Sequence, residues 1–119
     1  MTNTPIGWNT VTPRLFCDDP ERLVAFVKKT FDATGDYHAS RPSEIMIGNS
    51  RIMISGVEFR GRQTGCLYVY VDDVDRVYRK ALDAGVEEIE APAETHYGDR
   101  RCTVRDKWDN LWQIATRMR

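Results

Sequence analysis

Alternating apolar and polar residues mark two extended segments, TVTPRLFC at residues 10–17 and CLYVYV at 66–71. Each runs into an aspartate pair, Asp18-Asp19 and Asp72-Asp73, offset by 54 positions. Behind each pair the apolar period changes from two to between three and four, the spacing of one helix face. Leu23, Phe26, Val27 and Phe31 share such a face in PERLVAFVKKTF, and Val74, Val77, Tyr78, Ala81 and Leu82 share one in VDRVYRKALDAG. The aspartates suit helix N-caps, because a short carboxylate accepts the orphan N–H groups of a first turn. Pro20 suits the first helical position, where no donor is needed, and Gly35 and Gly85 stand where left-handed C-caps are wanted. Strand signals then return. EIMIGNSRIMIS (44–55) predicts a hairpin turning at Gly48-Asn49-Ser50, and RRCTVRDKWDNLWQIA (100–115) a longer one turning at Asp106 to Asn110.

The order strand, helix, then two or three strands therefore occurs twice, which points to an internal duplication. Module one spans about residues 8–55 and module two 66–117. The glycine- and arginine-bearing stretch GVEFRGRQTG (56–65) links them within a single domain over 1–119. Composition adds limits. At 119 residues the chain can bury a core without staples, and 41% hydrophobic with 29% charged residues is ordinary for a globular domain. A net charge of −1 argues against a general nucleic-acid binder. No apolar run reaches the ~20 residues that span a bilayer, and MTNTPIGWNT lacks the pattern of a signal peptide. Cys17, Cys66 and Cys102, odd in number and widely spaced, predict reduced thiols in a cytoplasmic protein.

Duplicated βαβββ units of this length resemble the vicinal oxygen chelate superfamily, the glyoxalase, bleomycin-resistance and extradiol-dioxygenase group. VYVDDVDRVYRKALDAGVE is similar to that family's strand–Asp-Asp–helix–Ala-Gly segment, and YGDRRCTVRDKWDNLWQIAT to its closing hairpin. SEIMIGNSRIMIS resembles the first-half hairpin of the phosphonate-operon-type, glyoxalase-like branch. The resemblance covers about residues 10–116. It implies an α+β fold in which two βαβββ modules form a curved mixed sheet around a cavity, with helices on the convex side, in a homodimer. Lys107 and Asp109 replace the proline and glycine usual in the closing turn, and Asp109-Asn110 can still make a tight turn because both tolerate positive φ.

Family members that do chemistry hold a divalent metal on the first and last strands of each half. Side-chain alternation places Leu67, Val69, Trp112, Ile114, Ile52 and Ile54 coreward. The positions resembling the ligands are then Thr12, Met53, Cys66 and Gln113. That set has neither imidazole nor carboxylate, so no metal or other cofactor is expected there. Cys66 has no histidine near it in sequence and reads as a small buried hydrophobe. His38 and His96 each lack a partner at ligand spacing, and His96, in ETHYGD beside the expected cavity mouth, is the stronger candidate.

The same alternation sends Cys102 and Val104 to the core and Arg101, Thr103 and Arg105 to the cavity. With Arg14, Phe16, Met46, Met53, Cys66, Tyr68, His96, Gln113 and an edge residue, Trp108, this makes an aromatic and cationic wall. Such a wall suits a planar or anionic small molecule. Three readings remain open: a metal-free small-molecule-binding protein; a lyase, isomerase or dioxygenase with a metal at a non-standard site; and a non-catalytic dimerisation module.

Overall fold

A computed structural model describes residues 3–58 and 60–118, so Phe59 of the linking stretch lies outside the described residues. Two units result, divided between Gln63 and Thr64.

In unit one, β1 (Arg14–Cys17) leads into α1 (Pro20–Phe31), then β2 (Ser43–Ile47) and β3 (Ser50–Gly56). The sheet order is β1-β3-β2, with β1 parallel and β2 antiparallel to β3. Asp19 caps α1 by accepting from the Arg22 N–H at 3.2 Å, and Pro20 occupies its first turn. Leu15, Cys17, Leu23, Val27, Ile45, Ile52 and Ile54 form the core. The helix ends earlier than its glycine suggests. Asp32, at φ 54°, supplies the left-handed cap, as aspartate can because its short side chain tolerates that region. Gly35 serves another purpose: a Cβ there would collide with the Glu44 carbonyl oxygen. This close approach lets Thr34 pair with Met46 of β2 in an isolated antiparallel bridge.

Unit two contains β4 (Cys66–Tyr70), α2 (Val74–Asp83), β5 (Glu87–Glu94), β6 (Asp99–Arg105) and β7 (Leu111–Arg117). Its sheet order is β4-β7-β6-β5. β4 is parallel to β7, and β6 is antiparallel to β7 and β5. The two units therefore share one topology, α+β in tandem. The bridge at Thr34 stands where unit two has a full strand, β5, so unit one has three strands and unit two four. Asp73 caps α2 through the Arg76 N–H at 3.2 Å. Gly85, at φ 91°, closes its end, its N–H reaching Leu82 O while the Val86 N–H reaches Ala81 O.

Val74, Val77, Ala81, Cys102, Val104, Trp112 and Ile114 are buried in unit two, as the alternation requires. Leu82 is not: it is 38% exposed, one position beyond the face that meets the sheet. The turn after β6 runs from Asp106 to Asn110, with Asp109 at φ 70° replacing the missing glycine. No helix among the described residues is long and apolar enough to cross a membrane.

Candidate functional site

Unit one holds a cavity of about 490 Å³. β1 brings Arg14 and Phe16 to it, the loop after α1 brings Tyr37, His38 and Arg41, and the stretch after β3 brings Glu58 and Arg60. Arg14 is exposed, and its guanidinium carbon lies 4.7 Å from the centre of the Phe16 ring. The ring is nearly buried and gives the charged group an apolar surface to lie over. The Arg14 guanidinium also donates to Ser55 Oγ at 3.2 Å, which ties it to β3. The loop is fixed from behind, since the His38 N–H donates to Ser43 Oγ at 2.8 Å, and His38 Nε2 lies 3.2 Å from the Arg41 guanidinium. The chain after β3 folds back on β1. Gln63 exchanges both backbone hydrogen bonds with Phe16 at 3.0 and 3.1 Å, and Arg62 pairs with Asp18 at 2.7 Å. The cavity thus presents three guanidiniums against a single carboxylate, with two aromatic rings among them.

Unit two presents a different polar face. Cys66, Tyr68 and Tyr70 point away from the core, as alternation places them, while Leu67 and Val69 are half-buried. Register sets Tyr68 beside Gln113, then Thr103, then Glu90, in one row across the sheet. At the centre is Asp99, fully buried, which the sequence gives no reason to single out. Its Oδ2 accepts the Tyr68 hydroxyl at 2.6 Å and the Tyr70 hydroxyl at 2.9 Å. Its Oδ1 lies 3.2 Å from Arg117 Nε, close enough for an ion pair but without an aligned hydrogen bond. The Tyr97 hydroxyl lies 3.0 Å from that of Tyr68 and accepts from Arg101 at 2.8 Å. Arg101 and Thr103 also converge on Glu90 Oε1, at 3.3 and 2.7 Å. Beside this network a cavity of about 360 Å³ is lined by Glu90, Glu94, Thr95, His96, Tyr97 and Arg101. The exposed His96 stands edge-on to Tyr97 with ring centres 5.2 Å apart.

The structure thus brings together Arg14 and Phe16 in unit one and Tyr68, His96, Arg101, Thr103 and Gln113 on or near one face of unit two. Met53 is half-buried on β3, and Trp108 is half-buried in the turn, where its N–H donates to Asp106. Cys66 departs from expectation. It is exposed rather than buried, with Sγ 3.9 Å from Gln113 Oε1, because the edge of β4 that carries it faces away from α2. Tyr37, Arg41 and Arg60 come from irregular segments without periodicity, so alternation could not find them.

The expected ligand positions do not fit a divalent metal. Thr12 and Met53 in unit one, and Cys66 and Gln113 in unit two, offer no imidazole or carboxylate. Among the described residues, no group of three or more His, Cys, Asp or Glu side chains is placed to hold a metal ion.

Hydrogen bonding to carboxylates has a measurable consequence. Burial and the Asp99 contact raise the Tyr68 phenol well above its ordinary 10.0, the Asp99 contact raises Tyr70, and the Glu88 contact raises Tyr78. A group whose folded pKa is raised contributes stability that is present below the unfolded pKa and lost as pH rises through the folded one. In a spectrophotometric titration, fewer phenolates should therefore form near pH 10.0 in the folded protein than in denaturant. Asp99→Asn should bring Tyr68 and Tyr70 closer to ordinary titration. Coincident folded and denatured curves would disprove the arrangement.

Comparison with known proteins agrees with this architecture. The sequence model of the Glyoxalase/Bleomycin resistance protein/Dioxygenase superfamily matches residues 8–114. Among curated proteins none matches. TioX from Micromonospora sp. ML1 is similar in structure at a TM-score of 0.79 and 20% identity, over 92% of this chain and 99% of that one. A glyoxalase/bleomycin resistance protein/dioxygenase family enzyme from Burkholderia phytofirmans PsJN gives 0.76 and 21%, over 88% and 95%. The fosfomycin resistance protein FosX from Mesorhizobium loti gives 0.69 and 20%, over 98% and 93%. Repeated topology, capped helices and a family match across both modules agree: the chain belongs to the Glyoxalase/Bleomycin resistance protein/Dioxygenase superfamily.

Proposed function

We propose that this protein binds a small planar, anionic compound without a metal ion, and that it does so as a cytoplasmic homodimer. The observation that carries the reading is the cavity of unit one, where Arg14, Arg41 and Arg60 share about 490 Å³ with Phe16 and Tyr37. Guanidiniums recognise carboxylate or phosphate in two-pronged fashion, and aromatic rings stack on planar groups. The volume lies within the ~300–1,000 Å³ range of small-molecule sites. Arg14 carries most weight, being placed over Phe16 and tied to Ser55 before any ligand arrives. The remaining expected contacts, Met53 in unit one and Cys66, Tyr68, His96, Arg101, Thr103, Trp108 and Gln113 in unit two, are proposed as ligand-facing in their own units. Arg101 and Thr103 contribute less, because Glu90 already engages both. Absence of a metal is supported by the donor chemistry at Thr12, Met53, Cys66 and Gln113, a set without imidazole or carboxylate in which Gln113 is a weak oxygen donor and Cys66 with Met53 suits a soft metal. That a fosfomycin resistance protein, FosX, has this fold is consistent with its use around a small molecule.

A calorimetric titration with simple aromatic carboxylates tests the reading. Arg14→Ala combined with Arg41→Ala should weaken binding by about tenfold or more. Unchanged affinity would reject the cavity of unit one as the site.

A further inference from the structure

The chemistry of the unit-one cavity is not uniformly cationic. Glu58 lines it together with the three arginines. Its carboxylate folds back over Gly56, the last residue of β3, so closely that a Cβ at that position would collide with both oxygens. Glycine is thus the residue that lets the carboxylate lie there. The placement has two physical readings. A carboxylate serving as an internal stand-in for an anionic ligand would neutralise a guanidinium. Among the described residues, however, Glu58 forms no ion pair with Arg14, Arg41 or Arg60, although they line the same cavity. Arg14 instead donates to Ser55 and stacks on Phe16, and Arg41 contacts His38. The exposed carboxylate lines the same cavity as Phe16 and Tyr37 and stays open to a ligand cation there.

We propose that Glu58 is a specificity-determining residue that selects an aromatic zwitterion, a ring bearing an acidic group for the arginines and an ammonium for Glu58. The inference rests on the reading of this cavity as an anion site and narrows its ligand class. A purely anionic ligand meets repulsion from Glu58, and one with an added ammonium meets a charge-assisted hydrogen bond at the same place.

Two probes of nearly equal shape separate these cases, 4-(aminomethyl)benzoate and 4-ethylbenzoate, each titrated calorimetrically into the full chain. The aminomethyl compound should bind about fivefold or more tightly. Glu58→Gln should erase that preference without weakening 4-ethylbenzoate. Glu58 is exposed and its amide is of similar size, so folding is not at stake. Gly56→Ala, which displaces the carboxylate, should reduce the preference as well. Equal affinity of the two probes for the parent protein overturns the inference alone. So does a Glu58→Gln variant that binds 4-ethylbenzoate more tightly yet keeps the preference, since Glu58 would then only obstruct the cavity. Failure of both probes to bind the parent protein overturns the inference and the anion-site reading together.

Discussion

Replacing Asp106 with alanine is expected to lower stability by about 3–4 kcal/mol, because it strands several buried donors at once. The side chain is 4% exposed and accepts four hydrogen bonds. Oδ1 takes the N–H groups of Trp108 at 2.8 Å and Asn110 at 3.0 Å. Oδ2 takes Asn110 Nδ2 at 3.0 Å and Trp112 Nε1 at 2.8 Å. Asn110 in turn accepts the Gly65 N–H at 2.9 Å, so the loss reaches the entry to β4. Trp112 is fully buried, and its indole N–H loses the carboxylate that accepts it. Thermal unfolding should show a drop of about 10 °C or more in the Asp106→Ala protein. Lys107→Ala, an exposed change in the same turn, serves as the control and should move the midpoint little. A melting temperature for Asp106→Ala within about 2 °C of the parent would show that the turn is held by other means.

Asp106 also shows what sequence patterns reveal and where they stop. Alternation correctly sends Trp112, Ile114, Cys102, Val104, Ile52 and Ile54 inward, since a pleated strand with one buried face must separate its side chains in that way. It also puts Tyr68 and Gln113 on the opposite face. The turn from Asp106 to Asn110 is legible from its residue types, but the buried carboxylate beneath it is not, because hydrogen-bond hubs leave no periodic trace. β5 escapes for a different reason. EEIEAPAE is an edge strand with almost every residue exposed, and its register slips between Glu88 and Glu90 and again between Glu90 and Ala93, around Pro92. A proline without a donor is tolerated at such an irregular edge, and charged side chains discourage pairing with other chains. Neither feature looks like a strand to a hydrophobicity pattern. The loop residues Tyr37, Arg41 and Arg60 are likewise brought to the cavity of unit one by backbone geometry, not by spacing.

Asp99→Asn is expected to flatten the acid limb of the stability curve as well as loosen the tyrosine face. The carboxyl of Asp99 is held below the ordinary 3.8, first by the hydrogen bond from Tyr68, then by that from Tyr70 and the charge of Arg117, against an opposing contribution from burial. The sign follows from linkage. A carboxyl with a depressed folded pKa contributes stability that is present above the unfolded value and is lost as pH falls through the folded one. The parent protein should therefore exceed Asp99→Asn in stability most strongly near pH 7, with the difference shrinking below about pH 3.8. The amide keeps an oxygen for the tyrosine hydroxyls but brings no charge to Arg117. Asp99→Ala removes the oxygens too and should cost more at neutral pH, because it leaves Tyr68 and Tyr70 without their shared acceptor. Denaturant unfolding of the three proteins at neutral and acid pH measures each of these differences. A constant offset between parent and Asp99→Asn at all pH values would mean that the Asp99 carboxyl titrates alike in the folded and unfolded protein, and that the hydrogen bonds from Tyr68 and Tyr70 and the charge of Arg117 do not favour its ionised form.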